Sequence, residues 1–190
     1  MPRPAPNPAR REHLLAVAER LFATLGYRAT SMARLAEAAG YAKGTLYAYF
    51  ADKDDVFRAV REALIARLLD GVERTLAGPG STVERVTVAL RDKDLAIFDV
   101  VTGGPHADEL LAARDRLAGA ERELADQVLL ERIAAALDDG IDRGLPPAQL
   151  ARLVVRASRG LAARASDRDT LAADIEALVP RVLGSSSPGD

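Results

Sequence analysis

Leu14, Leu15, Ala18, Leu21, Phe22 and Leu25 recur at steps of three and four, with charged or small residues between most of them. That spacing gathers the apolar side chains on one face of an amphipathic helix. Asn7-Pro8 supplies its start, Asn as N-cap and Pro at the first helical position, and Gly26 stops it as a left-handed C-cap residue. The same period predicts a brief second helix over 31–39, with Met32, Leu35, Ala36 and Ala39 as its apolar side. Thr30 and Ser31 can each cap it, and Gly40 ends it. A third helix of about two turns is predicted over 43–50. Asp52 caps a fourth, whose first turn carries Asp54 and Asp55 where the helix dipole favours acid. Val56, Val60, Leu64, Leu68 and Leu69 continue its buried face to about Leu76.

Gly78-Pro79-Gly80 then breaks the chain, and Ser81 with Glu84 forms a capping box for a helix running to about Val101. Thr102-Gly103-Gly104-Pro105 is a second break. Helices are predicted over His106–Leu117 and Ala120–Ile141, and a third break follows at Gly144 with Pro146-Pro147. Ala148–Ala165 is helical. Ser166 with Asp169 caps a last helix through Leu183, with Pro180 distorting its end. The expected fold class is all-α, nine helices without a strand. Residues 1–7 read as a disordered arm and 184–190 as a disordered tail.

Composition narrows the possibilities. Ala and Leu dominate a hydrophobic content of 48%, which favours helix. The absence of cysteine excludes a disulfide framework, a thiolate zinc site and a cysteine nucleophile. The first residues carry Pro and Arg without the apolar core of a signal peptide, and no run is long and apolar enough to span a bilayer. A cytoplasmic protein is the expectation. Charge is uneven: residues 1–62 hold ten Lys and Arg against seven Asp and Glu, and the remainder sixteen against twenty-one. A basic head on an acidic body points to a polyanion meeting the head.

Half of the eight aromatics fall in Tyr41–Phe50, YAKGTLYAYF. As a strand this stretch contradicts its helical surroundings. As the second helix of a helix-turn-helix it does not: 31–39 and 43–50 are joined by Gly40-Tyr41-Ala42, the layout in which the second helix enters the major groove. Leu46 and Phe50, four apart, face the core, and Lys43 and Tyr47 share the opposite face. Lys43, Gly44 and Thr45 lead the helix. Lys43 can reach guanine O6 and N7, Thr45 can offer a methyl or hydroxyl, and Gly44 leaves room for close approach. Tyr47 and Tyr49 are neutral phosphate donors, and Lys53 stands at the start of the fourth helix, where an anion is favoured.

These residues resemble the TetR family of transcriptional regulators. The resemblance runs through Leu21-Phe22, Gly26-Tyr27, Thr30-Ser31-Met32, Leu35-Ala36, Gly40, KGTLYAYF and Lys53, over about residues 10–58. It implies a DNA-binding domain over 1–52 and a ligand-binding and dimerisation domain over 53–183. It implies that Thr30 and Ser31 approach phosphate, that Ala33 lies on the groove side, that Lys43, Gly44 and Thr45 meet bases, and that Tyr47, Tyr49 and Lys53 hold the backbone. Three positions depart from the family pattern: Ala42 where a capping Ser is usual, Ala48 where a larger residue often touches phosphate, and Tyr41 in place of a small aliphatic residue. Tyr41 is expected to pack in the turn.

The resemblance further implies a homodimer on a palindromic operator, released by a small-molecule effector. Leu150, Leu153, Val154, Ala157 and Leu161 form one apolar stripe, and Leu171, Ile175, Leu178, Val179 and Val182 another. These are the expected dimer surface. After Phe57 the sole aromatic is Phe98, so an effector pocket lined by Leu, Val, Ile and Ala suits an apolar ligand, with Phe98 and His106 as candidate contacts. No cofactor or metal is expected. With no cysteine and its two histidines far apart (His13, His106), the chain is read as a non-enzymatic regulator.

Overall fold

A computed structural model describes residues 7–102, 104–117, 120–138 and 144–184. Among them are nine helices and no strand: α1 (Pro8–Ala29), α2 (Met32–Ala38), α3 (Lys43–Leu46), α4 (Lys53–Leu76), α5 (Thr82–Thr102), α6 (Ala107–Arg116), α7 (Ala120–Asp138), α8 (Pro147–Ala162) and α9 (Arg168–Leu183). The arm at 1–6 and the tail at 185–190 lie outside the described residues. No helix among those described is long and apolar enough to cross a membrane.

The chain forms two compact units, residues 1–65 with 101–119, and residues 66–100 with 120–190. The first takes in the start of α4 and all of α6, so it does not follow the expected boundary after residue 52. The reason is packing: Val56, Phe57, Ala59 and Val60 of α4 and Ala113 of α6 are buried in one core with Leu14, Phe22, Tyr27, Leu35, Leu46 and Phe50. Phe57 meets Phe22 and Tyr27 edge-on, each at 5.2 Å between ring centroids.

Local signals account for the helix ends. Asn7 Oδ1 accepts from the Arg10 N–H and Pro8 opens α1. Gly26 interrupts that helix at φ 80, ψ 168, a region open in practice to glycine alone, where the expected left-handed cap would have a smaller ψ. The turn from α2 is a Schellman motif: Gly40 at φ 71 donates to Glu37 O, and Tyr41 donates to Ala36 O. At α4, Asp52 Oδ1 accepts from Asp55 N at 2.8 Å, and Ser81 and Glu84 form the reciprocal box before α5.

Two ends differ from expectation. α3 closes after one regular turn, and residues 48 and 49 donate to carbonyls three back; no side chain caps it at Ala42, and weak helix formers follow. α9 is capped by Asp167, whose carboxylate takes both the N–H and hydroxyl of Thr170, in place of the expected Ser166.

In the second unit α7, α8 and α9 pack in sequence against one another. Its core joins Val72 and Leu76 of α4, Val86 and Leu90 of α5, Leu129, Ile133 and Leu137 of α7, and the inner faces of α8 and α9. Leu150 and Val154 of α8 and Leu171 and Ile175 of α9 are fully buried within it, so these four expected interface residues are instead the chain's own core. The apolar stripe predicts burial correctly, but the nearest partner helix covers it first. Leu153 remains exposed at 47%, Ala157 and Leu178 are half-buried, and Leu161 packs partly on the core.

Candidate nucleic-acid interface

On the first unit a shallow groove of about 400 Å³ is lined by Arg28, Thr30, Ser31, Met32, Ala33, Lys43, Tyr47 and Lys53. It gathers six of the nine residues nominated for DNA. Ser31 and Ala33 are exposed at the start of α2, and the Ser31 hydroxyl accepts from Arg34 N. Lys43 and Gly44 are exposed at the tip of α3, with Thr45 half-buried beside them. A Cβ on Gly44 would meet nothing within 4 Å, so the fold itself does not demand glycine there. Leu46 and Phe50 are buried beneath, as their i, i+4 spacing predicts, and Tyr47 stands outward, 43% exposed.

Thr30 requires a correction. Its side chain is fully buried and its hydroxyl donates to Gly26 O at 2.7 Å, so it holds the kink of α1 and is not presented to phosphate. Tyr49 lies away from the groove; its hydroxyl accepts from the Asn7 N–H at 2.9 Å, tying α3 to the start of α1. Tyr41 packs in the turn, edge-on to His13 at 5.9 Å and beneath the Arg10 guanidinium at 5.2 Å.

Lys53 is more constrained than a surface lysine. Its ammonium donates to Tyr27 O at 2.9 Å and lies 4.2 Å from the centre of the Tyr27 ring. Burial, with Arg116 nearby, pulls its pKa below the ordinary lysine value, against an opposing pull from Glu109. The Tyr27 hydroxyl donates to Asp54, and Arg116 binds the same carboxylate at 3.0 Å. That guanidinium, chiefly by hydrogen bonding, holds the Asp54 carboxyl below its usual range. Glu109 accepts from the Arg28 N–H. α6 thus grips both the end of α1 and the first turn of α4.

Arg28 is a groove residue that the sequence reading passed over. It is exposed and precedes the cap of α2 by three positions, and a basic residue just ahead of the Thr30-Ser31 helix start was the available signal. The two effector nominees fall in different units. Phe98 packs on the core of the second unit. His106 belongs to the first, half-buried at the start of α6, where a Cβ on Gly26 would come within 2.9 Å of its Nδ1. An open depression of about 690 Å³ in the second unit, between Arg74, Gly78, Pro79, Gly80, Arg85 and Val88, includes neither.

An exposed basic groove on a Schellman-turned helix pair, over a core shared with α1, α4 and α6, has the layout of a helix-turn-helix DNA-binding domain. Residues 14–60 match the family described as bacterial regulatory proteins, tetR family. Those residues form a TetR-family DNA-binding domain. The chain is 28% identical over 138 residues to the transcriptional activator FasR of Mycolicibacterium smegmatis, covering 73% of this chain and 61% of that one. Its backbone matches the reduced form of NemR from Escherichia coli with a TM-score of 0.73 at 22% identity, covering 94% and 99% of the two chains. It also matches SmeT, the repressor of the Stenotrophomonas maltophilia multidrug efflux pump SmeDEF, with a TM-score of 0.62 at 21% identity, over 91% and 88%; a SmeT complex with triclosan is a further match.

Proposed function

We propose that the chain is a cytoplasmic repressor that binds a palindromic operator as a homodimer and leaves it when a small apolar effector binds the helical body. The observation carrying this reading is the groove that places Ser31, Ala33, Lys43 and Tyr47 on one exposed face. Lys43, Gly44 and Thr45 read base edges; Ser31, Tyr47 and Lys53 fix the phosphate backbone, and Tyr49 supports α3 from behind. The domain over residues 1–52, joined by Lys53 at the start of α4, supplies the DNA contacts, and the body over 53–183 the effector and dimer contacts. The dimer face is the outer side of α8 and α9, at Leu153, Ala157, Leu161 and Leu178. Repression has support from the likeness to SmeT, itself a repressor, and an effector from the SmeT complex with triclosan. An effector that favours a mismatched spacing of recognition helices shifts the population off DNA.

The test is selection of bound duplexes from fragmented genomic DNA, followed by anisotropy titration at several salt concentrations. The expected result is a selected palindrome whose affinity falls steeply with salt. Equal binding to selected and random duplexes overturns the reading.

A further inference from the structure

Among the described residues, the second unit buries one pair of charged side chains. On α5, Lys93 and Asp94 are buried, with 7% and 2% of their surfaces exposed, and the Lys93 ammonium donates to Asp94 Oδ1. Asp94 Oδ2 is buried without a hydrogen-bond partner among the described residues. The surroundings offer little compensation. Leu90, one turn before Asp94, is fully buried, as are Val86 and Ala89, two turns and one turn before Lys93 on its side of the helix. Phe98, one turn after Asp94, packs on the same core. A buried carboxylate oxygen without a donor is costly, and an apolar pair of similar volume would be at least as stable there.

The chemistry of the open positions is specific. Oδ2 is an acceptor lacking a donor. The ammonium has three N–H donors and, among the described residues, the Asp94 carboxylate as its acceptor. The pair is neutral overall, so a cation brought to Oδ2 meets Lys93 and an anion brought to the ammonium meets Asp94. A neutral group that donates and accepts at once completes both.

We propose that Lys93 and Asp94 form the polar end of the effector site, which takes an aliphatic molecule carrying one neutral donor–acceptor group, an alcohol or a primary amide. This deepens the regulatory reading above and rests on it. The aliphatic portion lies along the Leu, Val and Ala side chains of the unit, and Phe98 is the single aromatic available to it.

The probes are 1-octanol, octanamide, octanoate and octylammonium, each added to the full chain in a thermal unfolding assay, with operator binding measured in parallel. At about tenfold excess over Kd, the alcohol and the amide raise the wild-type midpoint by about 3–6 °C, and the two ions do not. The double variant Lys93→Met, Asp94→Leu folds, because an apolar pair replaces the ion pair, and it binds the alcohol at least tenfold more weakly. Asp94→Asn, which keeps the shape, also weakens the alcohol. Ions that stabilise as well as the alcohol overturn the proposal, as does a double variant that binds the alcohol like wild type, or a wild type that responds to none of the four. A wild type that binds the alcohol but holds the selected operator equally well with and without it, or that selects no operator at all, overturns the regulatory reading and leaves the site standing.

Discussion

The two compact units use the same apolar periodicity to different ends. In the first, the short stretch from Gly40 to Phe50 divides cleanly: Leu46 and Phe50 are buried, and Lys43, Gly44 and Tyr47 are outside. In the second, the stripes on α8 and α9 look like an interface in sequence, yet Leu150, Val154, Leu171 and Ile175 turn inward. Periodicity states that a face is covered and does not name what covers it. In the first unit α2 and α3 are so short that each has only one side to hide. In the second, α8 is packed by both α7 and α9, which compete for its apolar face.

The largest expected effects probe that contrast. Ile175→Ala removes a fully buried side chain and should cost about 2–5 kcal/mol in denaturant unfolding, by the same amount at low and high protein concentration. Leu153→Glu, at an exposed position, should leave the unfolding free energy within about 0.5 kcal/mol while shifting sedimentation toward monomer. If Ile175→Ala instead weakens association and leaves unfolding untouched, the stripe belongs to the interface after all.

Next in size is base reading. Lys43→Ala should lose about 1–3 kcal/mol of discrimination at one operator position and little affinity for unrelated duplexes, measured across single-base operator variants. A uniform loss over all duplexes makes Lys43 a phosphate contact.

The first unit was the more legible because its signals are local. Asn7-Pro8, Gly26, Ser31, Gly40 and Asp52 each act on the backbone within a few residues, and the helix ends follow them closely. The position of α6 was not legible. Nothing near Glu109 or Arg116 in sequence says that they grip Arg28 and Asp54, which lie 81 and 62 residues away. Thr30 was misread for a related reason: a threonine beside a helix start suits a cap, and only the kink at Gly26 shows that its hydroxyl is already taken.

Lys53 lies between local and long-range readings, and its replacement should have a smaller, divided effect. Lys53→Ala loses the bonds to the Tyr27 carbonyl and ring, lowering stability by about 1 kcal/mol. If the lysine also meets phosphate, the salt slope of operator binding falls by about one unit. Tyr47→Ala should instead weaken all duplexes with the slope unchanged, since a hydroxyl displaces no counterion. A stability loss without a slope change would make Lys53 a positioning residue for α1 and α4.

The smallest effect concerns Asp54, because the Arg116 guanidinium that holds it is half exposed and screened by solvent. Arg116, chiefly by hydrogen bonding, lowers the folded pKa of Asp54 below its unfolded value. The unfolded chain therefore binds the proton more readily, and stability rises with pH through that window. The contribution is fully present above the ordinary carboxylate range and is lost as pH falls through the folded value. Asp54→Asn should therefore lower the thermal midpoint near neutrality, and its difference from wild type should close on acidification below about pH 4. Arg116→Gln should flatten this part of the acid loss, since the carboxyl then titrates near its unfolded value in both states. An Asp54→Asn midpoint equal to wild type at every pH would mean that Asp54 acts through its bond from the Tyr27 hydroxyl, which an amide oxygen also accepts, and not through its charge.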